Sequence, residues 1–161
     1  MILDELAAFA RKRVAADQAK TPLADIKAQA EAMPKGDFRF EKALAGKDCA
    51  FICDFEAIAR SYEDAGADCV SCLTEPNWFL GSDEIFKKVR KIVTRPMIRK
   101  DFTVDEYQIY QAKVLGADAV LLICTLLDKE TIRNYIGLRE KLGMSALVET
   151  HDAQEMQSAV Q

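Results

Sequence analysis

From residue 2 onward, apolar positions recur at helical spacing: Ile2, Leu6, Phe9, and then Arg13 or Val14. The pattern predicts a first helix over 2–16. Thr21-Pro22 predicts the start of a second, with Thr21 as N-cap and Pro22 in the first turn. Leu23, Ile26, Ala30 and Met33 form its stripe, and Pro34-Lys35-Gly36 stops it. Beyond residue 46 the period changes. Short apolar runs fall at Ala50–Cys53, Cys69–Leu73, Met97 to Phe102, Ala119–Cys124 and Ala146–Val148, with helical stretches between them. The joints AGADCV (65–70), LGADAV (115–120) and LGMSAL (142–147) each put a glycine where a helix ends in a left-handed residue. Helix starts are marked by Ser82, by Thr103 with Glu106, by Asp128, and by Asp152 with Glu155. Asp54 reads as the cap of a helix that follows Cys53 with almost no loop.

Strands apolar on both faces that alternate with helices imply a parallel sheet covered by helices. Two architectures fit, a (β/α)8 TIM barrel and an open doubly wound sheet. No G-x-G-x-x-G follows the first strand, and there is no Walker A loop. The expectation is an α/β protein of the TIM-barrel class with about five βα units: a single partial-barrel domain over 1–161, with a helical extension at 1–46 and units one to five at 47–161. Five strands cannot close an eight-stranded barrel of roughly 250 residues. Ala50–Cys53 and Ala146–Val148 are therefore expected as open edges able to self-associate.

Composition narrows the classes. Half of the 161 residues are hydrophobic and 30% are charged, which excludes a disordered or collagen-like chain. Twenty-two Lys+Arg against 26 Asp+Glu leave a net charge of -4, a poor match for nucleic acid or an anionic membrane. No apolar run reaches the ~18 residues of a membrane span. The acids Asp4 and Glu5 make the N-terminus an amphipathic helix, so the cytoplasm is the expected location. The five cysteines, Cys49, Cys53, Cys69, Cys72 and Cys124, are an odd set without a disulfide framework. Cys69 and Cys72 lie in a strand run, where residues three apart face opposite ways, so they read as core and no metal is expected.

Two charges stand where apolar residues are expected. Alternation puts Ile98, Lys100 and Phe102 on one face of the third strand and Leu147 with Glu149 on one face of the fifth. Facing inward, Lys100 and Glu149 would meet at the C-terminal mouth of a barrel, either as an acid/base pair or as a structural ion pair. Asp101 reads as a local hydrogen-bonding residue and His151 as a loop or capping residue. Trp78 and Phe79 stand in the loop 74–82. Phe79 with Phe102 forms either a wall for an aromatic substrate or a packed lid.

The strings L-T-E-P-x-W-F-x-G-S (73–82), R-K-D-F (99–102), D-x-Y-Q-I-Y-x-A-x-x-x-G-A-D-A-V-L-L-I (105–123) and L-V-E-T-H-D (147–152) closely resemble the indole-3-glycerol phosphate synthase family, in the family's order. They argue against a phosphoribosylanthranilate isomerase. The resemblance spans essentially the whole chain. It implies a (β/α)8 barrel of tryptophan biosynthesis that cyclises 1-(2-carboxyphenylamino)-1-deoxyribulose 5-phosphate with loss of CO2 and water, without a cofactor. It makes Lys100 the general acid and Glu149 the proton-transfer carboxylate. Phe79, Phe102 and Leu121 become the pocket for the anthranilate ring. The family also carries a Glu-x-Lys and Lys-x-Ser-Pro-Ser stretch after strand one, and an Asn-x-Arg segment and a glycine-rich phosphate site in later strands. None of these is present here. That pattern fits a fragment, a longer chain lacking mobile stretches, or a half completed by another chain. The alternative expectation is a non-catalytic half-barrel that associates through its edges.

Overall fold

The computed structural model of the chain describes residues 2–46, 52–54 and 66–160. Helix α1 runs Ile2–Lys20, α2 Leu23–Ala32 and α3 Arg39–Leu44. The strands and helices that follow are β1 Ile52–Asp54, β2 Cys69–Leu73, α4 Asp83–Ile92, β3 Met97–Lys100, α5 Glu106–Leu115, β4 Ala119–Ile123, α6 Lys129–Leu142, β5 Ser145–Glu149 and α7 Ala153–Val160.

The strands form one parallel sheet in the order β1-β2-β3-β4-β5. A doubly wound sheet reverses its strand order at a switch point. This sheet never does, which is the progression of a barrel and decides between the two architectures left open above. The sheet's faces bury different sets. Inward-facing Cys69, Ile98, Ala119, Leu121 and Ile123 cluster with Phe40. Outward-facing Val70, Cys72, Met97, Val120 and Leu122 pack under the helices with Phe86, Val89, Ile109 and Tyr110. Cys69 and Cys72 thus lie on opposite faces, both buried, as core residues.

Helices α1 and α2 add a further layer, inserting Val14, Ile26 and Ala30 into the outer cluster. Lys113 on α5 donates to the carbonyl of Pro34 at 2.8 Å. Burial pushes its ammonium pKa down, with Asp118 opposing the shift. Short α3 closes the N-terminal end of the sheet. Phe40 is 2% exposed, and the Glu41 amide donates to Ser145 Oγ at 3.2 Å. The chain reaches α3 across Gly36, whose amide donates to the carbonyl of Leu142. A Cβ on Gly36 would collide with the Gly143 carbonyl, so this crossing needs glycine.

Several boundaries differ from the expectation. Helix α1 continues to Lys20, and the Thr21 amide still donates to the Asp17 carbonyl. Pro22, not Thr21, is therefore the N-cap of α2, and its carbonyl accepts from Asp25 and Ile26. Asp54 ends strand β1, paired with Ser71, and the helix it was expected to cap lies outside the described residues, as do Cys49 and Ala50. Helix α5 is capped by Asp105, which accepts from Tyr107 N at 2.8 Å, rather than by Thr103. The Gln108 side chain takes over the stretch before it, bonding Val104 N and the Phe102 carbonyl. Those bonds, with Asp101 Oδ1 accepting from Phe102 N, end β3 at Lys100, two residues early. Ser82, Asp128 and Asp152 cap where expected. Gly66, Gly116 and Gly143 all have positive φ.

Candidate active site

A cavity of about 260 Å³ opens at the C-terminal ends of β2 to β5. Leu73, Phe79, Phe102, Leu121 and Ile123 line it, with Glu75, Lys100, Asp101 and Glu149 as its polar groups. All five residues singled out from the sequence, Lys100, Glu149, Phe79, Phe102 and Leu121, share this one cavity. Phe79 and Phe102 lie 6.2 Å apart between ring centroids, tilted by 44°. Leu121 is buried, whereas Phe79 is 49% exposed. The wall is thus open to solvent on the Phe79 side. Register sets the depths of the two charges. Leu73 pairs with Lys100, and Ile123 with Glu149, two residues beyond the Leu121–Leu147 pair.

A buried polar network holds Lys100 from behind. On the outward face, Arg99 is 3% exposed and bonds Thr74 Oγ1 (3.1 Å), the Gln108 carbonyl (3.2 Å) and Asp83 (2.9 Å). Asp101 accepts from Thr74 Oγ1 at 2.8 Å and from Arg13 Nη2 at 2.6 Å. Arg13 also donates to the Thr74 carbonyl at 3.1 Å. Buried charges persist only when paired and hydrogen-bonded, and here every one is. Asp101 is the hydrogen-bonding residue expected of it. The ambiguity at the first helix resolves accordingly: Val14 enters the core and Arg13 reaches the site.

Glu75 was not singled out from the sequence. Its carboxylate, 2% exposed, accepts three backbone amides, from Asn77 (2.9 Å), Trp78 (2.8 Å) and Phe79 (3.1 Å). One side chain thereby folds the loop that presents Phe79. The loop closes on Gly81, where a Cβ would collide with the Leu73 carbonyl, and Leu80 before it sits at φ 55. Trp78 stacks edge-on against Phe9 of α1, at 5.4 Å and 87°. The signal for Glu75 was a carboxylate two residues after a strand and before Pro76, but the three-amide bond pattern needs the folded loop.

At the other side of the cavity, Glu149 Oε1 lies 3.0 Å from His151 Nε2. His151 is a loop residue just before the cap Asp152, its amide donating to Glu155 at 2.8 Å, and its ring reaches the carboxylate in the cavity. Cys124 lies nearby, its thiol pKa pushed up by burial and then by Glu155. Among the described residues, no group of three or more His, Cys, Asp or Glu side chains is placed to hold a metal ion.

The sequential parallel sheet, with a cavity at the C-terminal ends of its strands, defines a protein of the (β/α)-barrel class. The family model described as indole-3-glycerol phosphate synthase matches residues 50–161. An indole-3-glycerol phosphate synthase of Ruminiclostridium cellulolyticum is 43% identical over all of this chain and 68% of its own length. That of Endomicrobium trichonymphae is 38% identical over 99% of the chain and 69% of its length. That of Carboxydothermus hydrogenoformans is 51% identical over 66% of the chain and 40% of its length. The chain belongs to the indole-3-glycerol phosphate synthase family. The first alignment is 178 positions long against 161 residues here, so that relative carries residues with no counterpart in this chain.

Proposed function

We propose that this cavity carries the ring closure of 1-(2-carboxyphenylamino)-1-deoxyribulose 5-phosphate to indole-3-glycerol phosphate, a carbon–carbon lyase reaction of tryptophan biosynthesis that releases CO2 and water. The observation that carries the reading is the shared cavity: an apolar wall with an ammonium at one strand end and a carboxylate at another. The benzene ring of the substrate lies against Phe79, Phe102 and Leu121, where apolar burial supplies binding energy. As the carboxyl-bearing ring carbon bonds to the ribulose carbonyl carbon, the C=O electron pair moves to oxygen and Lys100 protonates that oxygen. Decarboxylation restores the electrons to the ring system, and Glu149 moves the proton that lets the hydroxyl leave as water. Around the carbon–carbon bond formation and the loss of CO2, the part of the side chains is proton transfer and positioning. The phosphorylated substrate is the partner. No described helix is long and apolar enough to cross a membrane, and a location in the cytoplasm is the corresponding reading.

The test follows indole fluorescence while the purified chain is incubated with the substrate, and follows substrate binding through the single tryptophan, Trp78, which is 39% exposed beside Phe79. Phe79→Ala with Phe102→Ala weakens binding at least about tenfold, the value of one or two lost apolar contacts. Lys100→Ala removes about 10²–10⁴-fold of any turnover. An unchanged rate in Lys100→Ala strips Lys100 of this role, and unchanged binding in the double variant moves the ring elsewhere. A non-catalytic half-barrel is the second reading, because β1 and β5 are the outer strands of the described sheet. Light scattering that shows a monomer counts against it.

A further inference from the structure

The imidazole of His151 sits between two carboxylates. Its Nε2 faces Glu149 Oε1 at 3.0 Å, and its Nδ1 is 3.1 Å from Thr125 Oγ1 and 3.8 Å from Glu155 Oε2. Thr125 has one hydroxyl proton, and that proton is donated to Glu155 Oε1 at 2.8 Å. Thr125 Oγ1 can therefore only accept from the ring, so Nδ1 must carry a hydrogen. Glu155 is held by two further bonds, since it accepts the His151 amide at 2.8 Å and its own amide donates to Asp152 at 2.7 Å. Nδ1–H is thus set by a fixed acceptor, and the partner of one ring nitrogen decides the state of the other.

With Nδ1–H fixed, one proton remains to be placed between Nε2 and Glu149 Oε1. Either imidazolium faces carboxylate or neutral imidazole faces carboxylic acid. Moving the proton from Nε2 to Oε1 interconverts the two with no change in total charge. Free imidazole in water prefers the opposite neutral tautomer, with the hydrogen on Nε2, and that form could not accept a proton from Glu149. Glu149 lines the cavity while the His151 side chain is 53% exposed. We propose that His151 is a positioning residue for Glu149, held as the Nδ1–H tautomer by Thr125 and Glu155 so that it exchanges the Glu149 proton with solvent on the side away from the substrate. Among the described residues, the titratable groups at the ring are Glu149 from β5 and Glu155 from α7; the loop after β4 supplies the Thr125 hydroxyl. The role in turnover rests on the reading of Glu149 above, whereas the tautomer does not.

The chain contains one histidine, so a tag-free sample labelled with 15N gives a single imidazole in long-range 1H–15N spectra. At a pH where the Glu149–His151 pair holds its shared proton, Nδ1 is expected to carry a hydrogen. Thr125→Val returns it to Nε2, and Thr125→Ser restores Nδ1–H. Glu149→Gln shifts the Nε2 resonance. An Nε2–H ring in the parent chain, or spectra indifferent to Thr125→Val and Glu149→Gln, overturns the proposal. In turnover, Thr125→Val and His151→Ala lower kcat by about tenfold or more with KM held, less than the ~10²–10⁴ of an acid–base group itself. The Nδ1–H tautomer together with unaltered kcat in both variants refutes the exchange role. Unaltered kcat in Glu149→Gln refutes the catalytic reading instead.

Discussion

The two sides of the cavity are built by opposite means. At β3, Lys100 stands between Arg99 and Asp101, which are 3% and 4% exposed and tied to Thr74, Asp83, Gln108 and Arg13. At β5, Glu149, His151 and Glu155 have side chains 42%, 53% and 20% exposed, and their bonds compete with water. Charges in a low-dielectric interior interact strongly and are costly to strand, while exposed pairs are screened. The β3 side is therefore a rigid mount whose geometry the fold over-determines. The β5 side is more exposed and open to exchange with solvent, which suits the proton transfer proposed for Glu149.

The difference predicts unequal costs of disruption. Asp101→Ala leaves Arg99 and Arg13 without their shared carboxylate, and removing one partner of a buried pair costs about 3–5 kcal/mol. Chemical denaturation should show that loss in the midpoint with an unchanged slope. Asp101→Asn, which keeps an acceptor for Thr74, should lose less. A loss under about 1 kcal/mol for Asp101→Ala, the range of exposed pairs, would erase the contrast between the two sides.

The next effect is at Glu75. Its carboxylate takes amides on both oxygens, Asn77 on Oε1 and Trp78 with Phe79 on Oε2. Glu75→Gln keeps one acceptor oxygen and turns the other into a donor that faces an amide. Bonds to charged groups are worth ~1.5–3 kcal/mol, so stability should fall by about that amount. The loop should also loosen, which Trp78 reports directly: its emission shifts to the red as it leaves Phe9, and substrate binding through Phe79 weakens with it. Stability lost with the emission unmoved would mean that Glu75 serves the core rather than the loop.

The sequence made legible what depends on periodicity. The five strands, three glycine joints and most caps follow from local pattern, and alternation alone placed Lys100, Phe102 and Glu149 on the cavity face. What escaped depends on partners distant in the chain. Arg13 bonds a residue 88 positions away, and no local rule separates it from Val14 at the edge of a helical stripe. Thr103 met the spacing of a capping box but lost to Asp105, because the Gln108 side chain had already claimed the backbone of that loop. Helix α3 is six residues long and starts at Phe38 with φ 59, too short and too irregular at its start for periodicity to reveal. His151 was legible as a loop residue beside the start of α7, but its ring contact with Glu149 needed β5 and α7 in place.

The smallest effect sharpens the comparison most. Thr125→Val removes a hydroxyl that joins two partly exposed side chains, His151 and Glu155. Water can replace both bonds, so the stability change should stay within about 0.5–1 kcal/mol, the net worth of an ordinary hydrogen bond. That is several-fold below the loss from Asp101→Ala, although each change removes one hydrogen-bonding group near the cavity. The two substitutions should add within ~0.3–0.5 kcal/mol in the double variant, as independent sites do. Coupling beyond that would join the sides into one network. The exposed side would then be fixed by the buried one, and the freedom of Glu149 to exchange its proton would no longer follow from how it is held.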